Sequence, residues 1–335
     1  MRIGQAAAET DTGRKRRRNE DAFVCAPPLF AIADGMGGAQ AGEVASSLAA
    51  AAFRETAARL GGTGEEHVAS LVREANRRVH DRATSDAAAS GMGTTMTAAQ
   101  VERDGSVSFA HVGDSRAYLL RAGRLTQLTD DHSLVAELVR RGELSPAQAE
   151  AHPQRSVITR ALGTDAEVAV DTFTLHPEPG DIVLLCSDGL SSFVDEATIE
   201  SIITRFRSDL RGAAHGLIYA ANRAGGDDNI TAVLFELVDD GATDEQTREH
   251  PEVAPGGDSG GEADTLHLAG GARLPAVDTV VLAADDPQVA ELRAAMAARR
   301  APVPEAGPGR RALALLVIVV LIALIVLLVW RGLAT

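Results

Sequence analysis

Short apolar runs of strand length alternate with longer amphipathic stretches of helical period through the first 238 residues. The predicted strands are Phe30–Ala33, Ser106–Val112, Asp181–Cys186 and Ile230–Val238, with a hairpin of Tyr118–Leu120 and Leu125–Leu128 around Gly123. The predicted helices are Glu43–Leu60, His67–Ala89, Ser133–Gly142, Asp195–Phe206 and Ser208–Ala224. The order is not a regular βαβ alternation, so we expect an α+β domain at 1–238 with antiparallel sheets flanked by helices.

The composition changes at Asp239. Residues 239–309 are rich in Asp, Glu, Gly, Pro and Ala. Such a stretch buries too little apolar surface to offset the loss of chain entropy, and it predicts a disordered acidic linker. Leu274–Leu292 is more apolar, and its pattern leaves open a transient helix, a segment that docks on the domain, or a solvated spacer.

The last part of the chain is strongly apolar. Ala312–Trp330 contains no charged residue and no Gly, Pro, Ser or Thr. At about 1.5 Å per residue this stretch matches the roughly 30 Å hydrocarbon core of a bilayer. A buried core helix is the alternative, but a fully apolar stretch of this length after a linker disfavours it. We expect a transmembrane helix at 310–331 and a short external tail at 332–335. Arg310 and Arg311 precede the apolar stretch and indicate that its N-terminal side faces the cytoplasm.

Charge and cysteine content narrow the function. The formal net charge of −15 argues against non-specific nucleic-acid binding, which needs a basic surface. The two cysteines, Cys25 and Cys186, are too few for a disulfide framework and give no zinc spacing. The N-terminus has no apolar run typical of a secretory signal. We therefore expect a single-pass protein of the cell membrane with its folded domain in the cytoplasm.

Acidic residues stand beside several predicted strands. They are Asp34, Asp114, Asp188, Asp228 and the pair Glu20-Asp21. A single Asp-Gly is common turn chemistry, but five such sites in one domain would repel one another unless cations neutralise them. Because the donors are oxygens and no Cys/His cluster occurs, the expected ions are Mg²⁺ or Mn²⁺.

This donor set points to phosphate chemistry. Two such ions about 3.5–4 Å apart can activate a water and direct it at phosphorus. Arginine suits the phosphate oxygens because its planar fork donates two hydrogen bonds. The run Arg14-Lys15-Arg16-Arg17-Arg18 lies immediately before Glu20. A basic run is usually a solvated or lipid-facing surface, but its position here favours one phosphate-binding arginine.

An ordered series of motifs resembles the bacterial branch of the PPM (type 2C) protein phosphatases over about residues 5–238. The motifs are Asp11-x-Gly13-x-x-Arg16-x-x-Asn19-Glu20-Asp21, Ala33-Asp34-Gly35-Met36-Gly37-Gly38, Gly91-x-Gly93-Thr94-Thr95, Gly113-Asp114-Ser115-Arg116, Thr129-x-Asp131-His132-Ser133, Ser187-Asp188-Gly189 and Gly226-x-Asp228-Asn229-Ile230-Thr231. The resemblance implies a four-layer αββα sandwich with two central antiparallel sheets and a metal-binding cleft at one end.

The resemblance also implies roles for individual residues. Asp34 would bridge two metal ions. The other implied ligands are Asp188 and Asp228 for the first ion, Glu20 and the Gly35 carbonyl for the second, and Asp114 for a third, weaker ion. Asp21 would orient metal-bound water, Arg16 would bind the substrate phosphate, Asn229 would steady the Asp228 loop, and Ser156 would lie in a mobile flap.

One position departs from the family pattern. Many eukaryotic members carry a histidine directly after the bridging Asp-Gly, where it is proposed to protonate the leaving group, and this chain has Met36 there. His111, His132 and His152 are the histidines that could replace it as the general acid. A lone histidine is more often structural, so we assign no general acid from the sequence.

The sequence thus predicts a membrane-anchored phosphoserine/phosphothreonine phosphatase that hydrolyses phosphate monoesters with metal-activated water and opposes Ser/Thr kinases. Its expected partners are phosphorylated proteins, among them membrane kinases and their substrates. One alternative is a pseudophosphatase that binds phosphoproteins without turnover, which would be marked by lost metal ligands. Another is a dinuclear hydrolase of small phosphate esters or nucleic acid, which the acidic balance disfavours.

Overall fold

The computed structural model describes residues 1–37, 41–239 and 241, and the backbone of one two-residue strand at 280–281. The strands are β1 (Arg2–Asp11), β2 (Asp21–Ala26), β3 (Leu29–Met36), β4 (Gly93–Thr94), β5 (Met96–Val101), β6 (Val107–Val112), β7 (Arg116–Arg121), β8 (Arg124–Gln127), β9 (Val157–Ile158), β10 (Asp171–Leu175), β11 (Asp181–Cys186), β12 (Ile230–Val238) and β13 (Val280–Val281). The α-helices are α1 (Ala41–Leu60), α2 (Gly64–Ser85), α3 (Leu134–Arg140), α4 (Pro146–Glu150), α5 (Asp188–Ser191), α6 (Glu196–Arg205) and α7 (Leu210–Ala224), and a 3₁₀ turn covers Ala87–Ala89.

Two antiparallel sheets form the centre of the domain, as the sequence predicts. One sheet has the order β1-β12-β11-β7-β8, and the other has the order β10-β6-β5-β3-β2. Buried side chains of α1 and α2 pack on the second sheet, and those of α6 and α7 pack on the first. The result is the expected αββα arrangement of four layers.

Strict alternation along the strands builds these layers, because successive side chains of a strand point to opposite faces. In β3, Phe30 and Ile32 pack between the sheets, and Phe30 stacks on Phe235 of β12 with ring centroids 4.0 Å apart. In β11, Val183 faces the same inner layer, while Leu184 packs toward α6 and α7. Both faces of these strands are therefore apolar, which is why their sequences are continuous hydrophobic runs.

Several elements differ from the sequence-based expectation. Strand β3 continues through Met36 because the short strand β4 pairs with its end, so Asp34 lies within the strand rather than after it. The helix predicted to end at Ala89 ends at Ser85, where Asp86 caps the 3₁₀ turn instead. Strand β1 is absent from the sequence-based prediction, because its RIGQAAAETD sequence lacks a clear apolar alternation.

The C-terminal predictions lie mostly outside the described residues. The transmembrane segment at 310–331 and the tail at 332–335 fall entirely outside them. Among the helices that the structure does describe, none is long and apolar enough to cross a membrane. Of the segment 274–292, only Val280 and Val281 are described, and their backbone pairs in parallel with β9.

Candidate active site

Asp34 lies near the end of β3, where two threonines hold its backbone. The Asp34 N–H donates to Thr95 Oγ1 at 3.0 Å. The Asp34 carbonyl accepts from the Thr95 N–H at 2.9 Å and from Thr94 Oγ1 at 2.8 Å. Thr95 Oγ1 also lies 2.7 Å from Ser115 Oγ. The Gly-x-Gly-Thr-Thr and Gly-Asp-Ser-Arg motifs therefore meet behind Asp34 and fix its position, a role that sequence reasoning did not assign to them.

Asp21 is held by hydroxyl groups from two distant motifs. Its Oδ2 accepts from Ser187 Oγ at 2.8 Å and from Thr231 Oγ1 at 2.6 Å. Its Oδ1 is buried and has no hydrogen-bond partner among the residues that the structure describes. Burial is the main reason that its pKa rises from 3.8 to about 7, and the nearby Asp188 and Asp228 add to the rise. The unpaired Oδ1 could accept a hydrogen bond from a metal-bound water, which fits the role predicted for Asp21 beside the metal ligands.

The predicted metal-bridging residue is electrostatically linked to the other predicted carboxylates. Burial raises the pKa of Asp34 well above 3.8, and the charges of Asp21, Asp188, Asp228 and Asp114 raise it further. Burial, then Asp228, raises the pKa of Asp188 to about 6, while a side-chain hydrogen bond with Asp34 opposes the rise. Four sequence-distant carboxylates thus surround Asp34 closely enough to disfavour its ionisation.

Glu20 and Gly35, predicted together as ligands of a second ion, are brought together by Gly42 of α1. The Gly35 N–H donates to the Glu20 carbonyl at 3.0 Å. A Cβ at position 42 would lie 2.8 Å from the Gly35 oxygen and 2.9 Å from the Glu20 carboxyl carbon. A Cβ on Gly35 itself would lie 2.1 Å from the Gly42 carbonyl oxygen. Both glycines are therefore needed for the helix to approach the strand at this point.

Arg16, the predicted phosphate-binding residue, lies in a loop that closes over the Asp228 turn. Its Nη2 donates to Asp228 Oδ2 at 2.9 Å. Asn229 fixes the loop at both ends, since its Nδ2 donates to the carbonyls of Thr12 at 2.9 Å and Arg18 at 2.8 Å. Asn229 Oδ1 accepts the Glu20 N–H at 2.8 Å. Asn229 therefore positions the Arg16 loop and Glu20, which extends the role expected from the resemblance.

Asp114 joins the same electrostatic group. It is 8% exposed, and burial followed by the charge of Asp188 raises its pKa well above 3.8. The preceding residue Gly113 donates its N–H to His132 Nδ1 at 3.0 Å, and the His132 carbonyl accepts the Thr159 N–H at 2.8 Å. These bonds connect the Asp114 turn to the residue that follows β9.

Ser156 immediately precedes β9 in a half-buried turn. The connection from β9 through His132 to the Asp114 turn places Ser156 in a segment attached to that turn. No direct contact between Ser156 and Asp114 occurs among the described contacts, so its role in the site stays a prediction. Ile158 of β9 packs with Ala161 against Met36, two residues beyond Asp34.

The three histidines weighed as acids, His111, His132 and His152, are hydrogen-bonded to groups outside the predicted ligand set. His111 is buried between Thr97 Oγ1 at 2.9 Å and the Asp130 carbonyl at 3.1 Å, and burial lowers its pKa to about 3. Burial also lowers the pKa of His132, which accepts the Gly113 N–H. His152 accepts the Gln154 N–H through Nδ1 at 3.2 Å. Within the described residues none of these three side chains bonds to a predicted metal ligand, and the general acid stays unassigned.

The described residues fit a cation at two buried carboxylate oxygens. Within residues 1–37 and 41–239, no group of three His, Cys, Asp or Glu side chains is arranged as a ready metal cage. The buried Oδ1 atoms of Asp21 and Asp188 nevertheless have no hydrogen-bond partner, which is costly for carboxylates in a protein interior. A hard divalent cation would satisfy both the unpaired oxygens and the mutual repulsion.

Comparison with known proteins gives one consistent result. The family model described as "Protein phosphatase 2C" matches residues 13–217. The serine/threonine phosphatase stp of Listeria welshimeri is 44% identical over 243 residues, which cover 69% of this chain and 95% of the relative. The serine/threonine protein phosphatase PstP of Mycobacterium tuberculosis is 42% identical over 234 residues, covering 70% of this chain and 45% of the relative.

Solved structures agree with this result. The crystal structure of the M. tuberculosis phosphatase PstP superposes with a TM-score of 0.67 at 40% identity, covering 71% of this chain and 100% of that one. A PstP catalytic domain in complex with two manganese ions gives a TM-score of 0.64 at 38% identity, with 71% and 99% coverage. This chain therefore belongs to the protein phosphatase 2C family, the PPM family of metal-dependent serine/threonine protein phosphatases.

Proposed function

We propose that this chain hydrolyses phosphoserine and phosphothreonine monoesters in proteins at a dinuclear site formed by Asp34, Asp188, Asp228, Glu20 and the Gly35 carbonyl. The observation that carries this proposal is the gathering of buried and half-buried carboxylates around Asp34, with Arg16 bonded to Asp228, one of the half-buried ones. When bound, Mn²⁺ or Mg²⁺ ions supply activation of water at neutral pH and charge for the phosphate oxygens.

The chain's own residues have distinct tasks in this proposal. Asp34, whose backbone N–H is held by Thr95, would be the ligand that both ions share. Arg16 has five N–H donors in a rigid fork, enough to hold Asp228 and phosphate oxygens together. Asp114, with the flap around Ser156, would serve a third, weaker ion. No protein group is assigned as the general acid, because Met36 is buried and apolar.

The apolar stretch at 312–330 supports a membrane-anchored version of this activity. We propose a single-pass protein with the phosphatase domain in the cytoplasm, acting on phosphoproteins at the bilayer and opposing the Ser/Thr kinases that modify them. Deletion of residues 310–335 should release the protein from the membrane fraction and raise the phosphorylation of its substrates. Full release with unchanged substrate phosphorylation would contradict the role of the anchor.

Phosphate release from a phosphothreonine peptide tests the activity. The domain of residues 1–239 suits this assay, because it contains the described core and this chain covers 99% of a solved PstP catalytic domain. We expect turnover that requires Mn²⁺ and is lost in Asp34→Ala and Asp228→Ala, with Glu167→Gln as an exposed acidic control. Folded, manganese-loaded protein without turnover would favour the pseudophosphatase alternative.

A further inference from the structure

The loop of residues 12–18 carries more positive charge than the proposed chemistry uses. It contains Arg14, Lys15, Arg16, Arg17 and Arg18, on a chain whose formal net charge is −15. Three of these cations have acidic partners. Lys15 pairs with Asp227, Arg16 with Asp228 at 2.9 Å, and Arg18 with Glu43 at 3.6 Å. The two remaining arginines have a different environment.

Arg14 and Arg17 are exposed and have no ion pair or side-chain hydrogen bond within the part of the chain that the structure describes. The Arg14 stem lies over Gly226, because a Cβ at Gly226 would be 2.7 Å from Arg14 Cγ. Arg17 lies between Arg16 and Arg18, whose partners are Asp228 and Glu43. The unpaired cations therefore flank the position of the predicted phosphate-binding arginine.

The backbone beneath these side chains is firmly held. Asn229 bonds both ends of the loop, and the Arg14 N–H donates to the Gly226 carbonyl at 2.6 Å. Gly13 has φ = 77° and packs directly on the Asp228 backbone, where its Cβ would be only 2.1 Å from the carbonyl oxygen. A rigid backbone keeps the two cations at the rim of the site and reduces the ordering needed to use them.

We infer that Arg14 and Arg17 form a specificity rim that selects phosphopeptides carrying acidic residues or a second phosphate beside the scissile phosphoryl group. This inference rests on the proposed function. The same hydrogen bonds that position Arg16 and Glu20 also fix the backbone of Arg14 and Arg17 beside them. The charges of Arg14 and Arg17 are exposed to solvent. Their attraction for an acidic peptide should therefore weaken as ionic strength rises, and it should act on substrate binding rather than on the chemical step.

The test compares two phosphothreonine peptides that differ only in flanking Glu or Gln residues, with the full chain in detergent and Mn²⁺. We expect the acidic peptide to have a kcat/KM about three- to tenfold higher at low salt, mainly through a lower KM, and this ratio should shrink at high salt. Arg14→Gln/Arg17→Gln should bring the ratio near one, and Arg14→Glu/Arg17→Glu should invert it.

The matched control is Arg103→Gln/Arg124→Gln, which neutralises two exposed arginines that also lack described side-chain partners. It should keep the wild-type ratio. An unchanged ratio in Arg14→Gln/Arg17→Gln, or equal turnover of the two peptides by the wild type, would overturn the inference. Absence of any turnover would instead refute the proposed function.

Vesicles containing phosphatidylserine distinguish a lipid-facing role. Co-sedimentation that depends on Arg14 and Arg17, together with no peptide preference, would assign the rim to the membrane surface and overturn the inference. We expect instead that Arg14→Gln/Arg17→Gln lowers the ratio of kcat/KM between the acidic and neutral peptides and leaves vesicle binding unchanged. Thermal midpoints of all variants, measured in parallel, verify that the fold is intact.

Discussion

Replacing Asp188 with asparagine should stabilise the metal-free protein at neutral pH. The folded-state pKa of Asp188 is about 6, against 3.8 for an ordinary aspartate. Because the folded state holds this proton more tightly than the unfolded state, stability is fully present at low pH and falls as pH rises from 3.8 to about 6. This pKa shift lowers the free energy of unfolding by about 3 kcal/mol at pH 7.5 and by about half of that at pH 5.

The neutral amide of the Asp188→Asn variant removes this penalty, so the variant should unfold at a higher temperature than wild type in EDTA. For a domain of this size, about 3 kcal/mol corresponds to roughly 5–10 °C at pH 7.5 and about half of that at pH 5. Saturating Mn²⁺ should reverse the order, because it compensates the charges of the wild-type site and binds the variant less well.

Differential scanning fluorimetry at the two pH values, with EDTA or Mn²⁺, measures these four conditions directly. Glu167→Gln, which neutralises an exposed carboxylate, should leave the midpoint nearly unchanged in all of them. If the Asp188→Asn variant in EDTA at pH 7.5 were less stable than wild type, burial and the charge of Asp228 would not destabilise the ionised Asp188, and the reasoning would be refuted.

Three further substitutions test the supports of the site. Asn229→Leu leaves three backbone groups without their partner and should lower the unfolding free energy by about 2–4 kcal/mol in urea titrations, with an unchanged value contradicting its positioning role. Thr95→Val, nearly isosteric, removes the acceptor of the Asp34 N–H and should weaken Mn²⁺ binding in calorimetry by about tenfold, whereas wild-type affinity would refute the support. Gly35→Ala meets the Gly42 carbonyl at 2.1 Å and should lower the thermal midpoint and Mn²⁺ affinity together; a neutral result would show that α1 can move away.

Strands and helices with strong periodicity could be predicted from the sequence. The strands Asp181–Cys186 and Ile230–Val238 have the bounds that the sequence predicts, since each is a mainly apolar run followed by a polar residue. Strand β1 could not be predicted in this way. It is an edge strand of its sheet, and six of its ten residues are Ala, Gly, Gln or Thr. Its extended conformation therefore depends on hydrogen bonds to β12 rather than on an apolar pattern of its own.

The acidic residues of the site could be found from their positions near strand ends, but their supports could not. Asp21 is held by Ser187 and Thr231, which are 166 and 210 residues away in the chain. Only the pairing of β11 and β12 in one sheet brings these hydroxyls together. Periodicity identifies elements one at a time, whereas the hydrogen bonds that fix this site depend on how distant elements pair.

Counting manganese ions bound to the domain tests the central claim most directly. Titration of the metal-free domain with Mn²⁺, followed by electron paramagnetic resonance, should show two tightly bound ions per chain with mutual spin coupling, before any weaker third ion binds. Asp34→Asn should abolish the coupling while the fold is kept, because Asp34 is proposed to bridge the ions. One uncoupled ion in the wild type, or a coupled pair that survives in Asp34→Asn, would contradict the proposed dinuclear site.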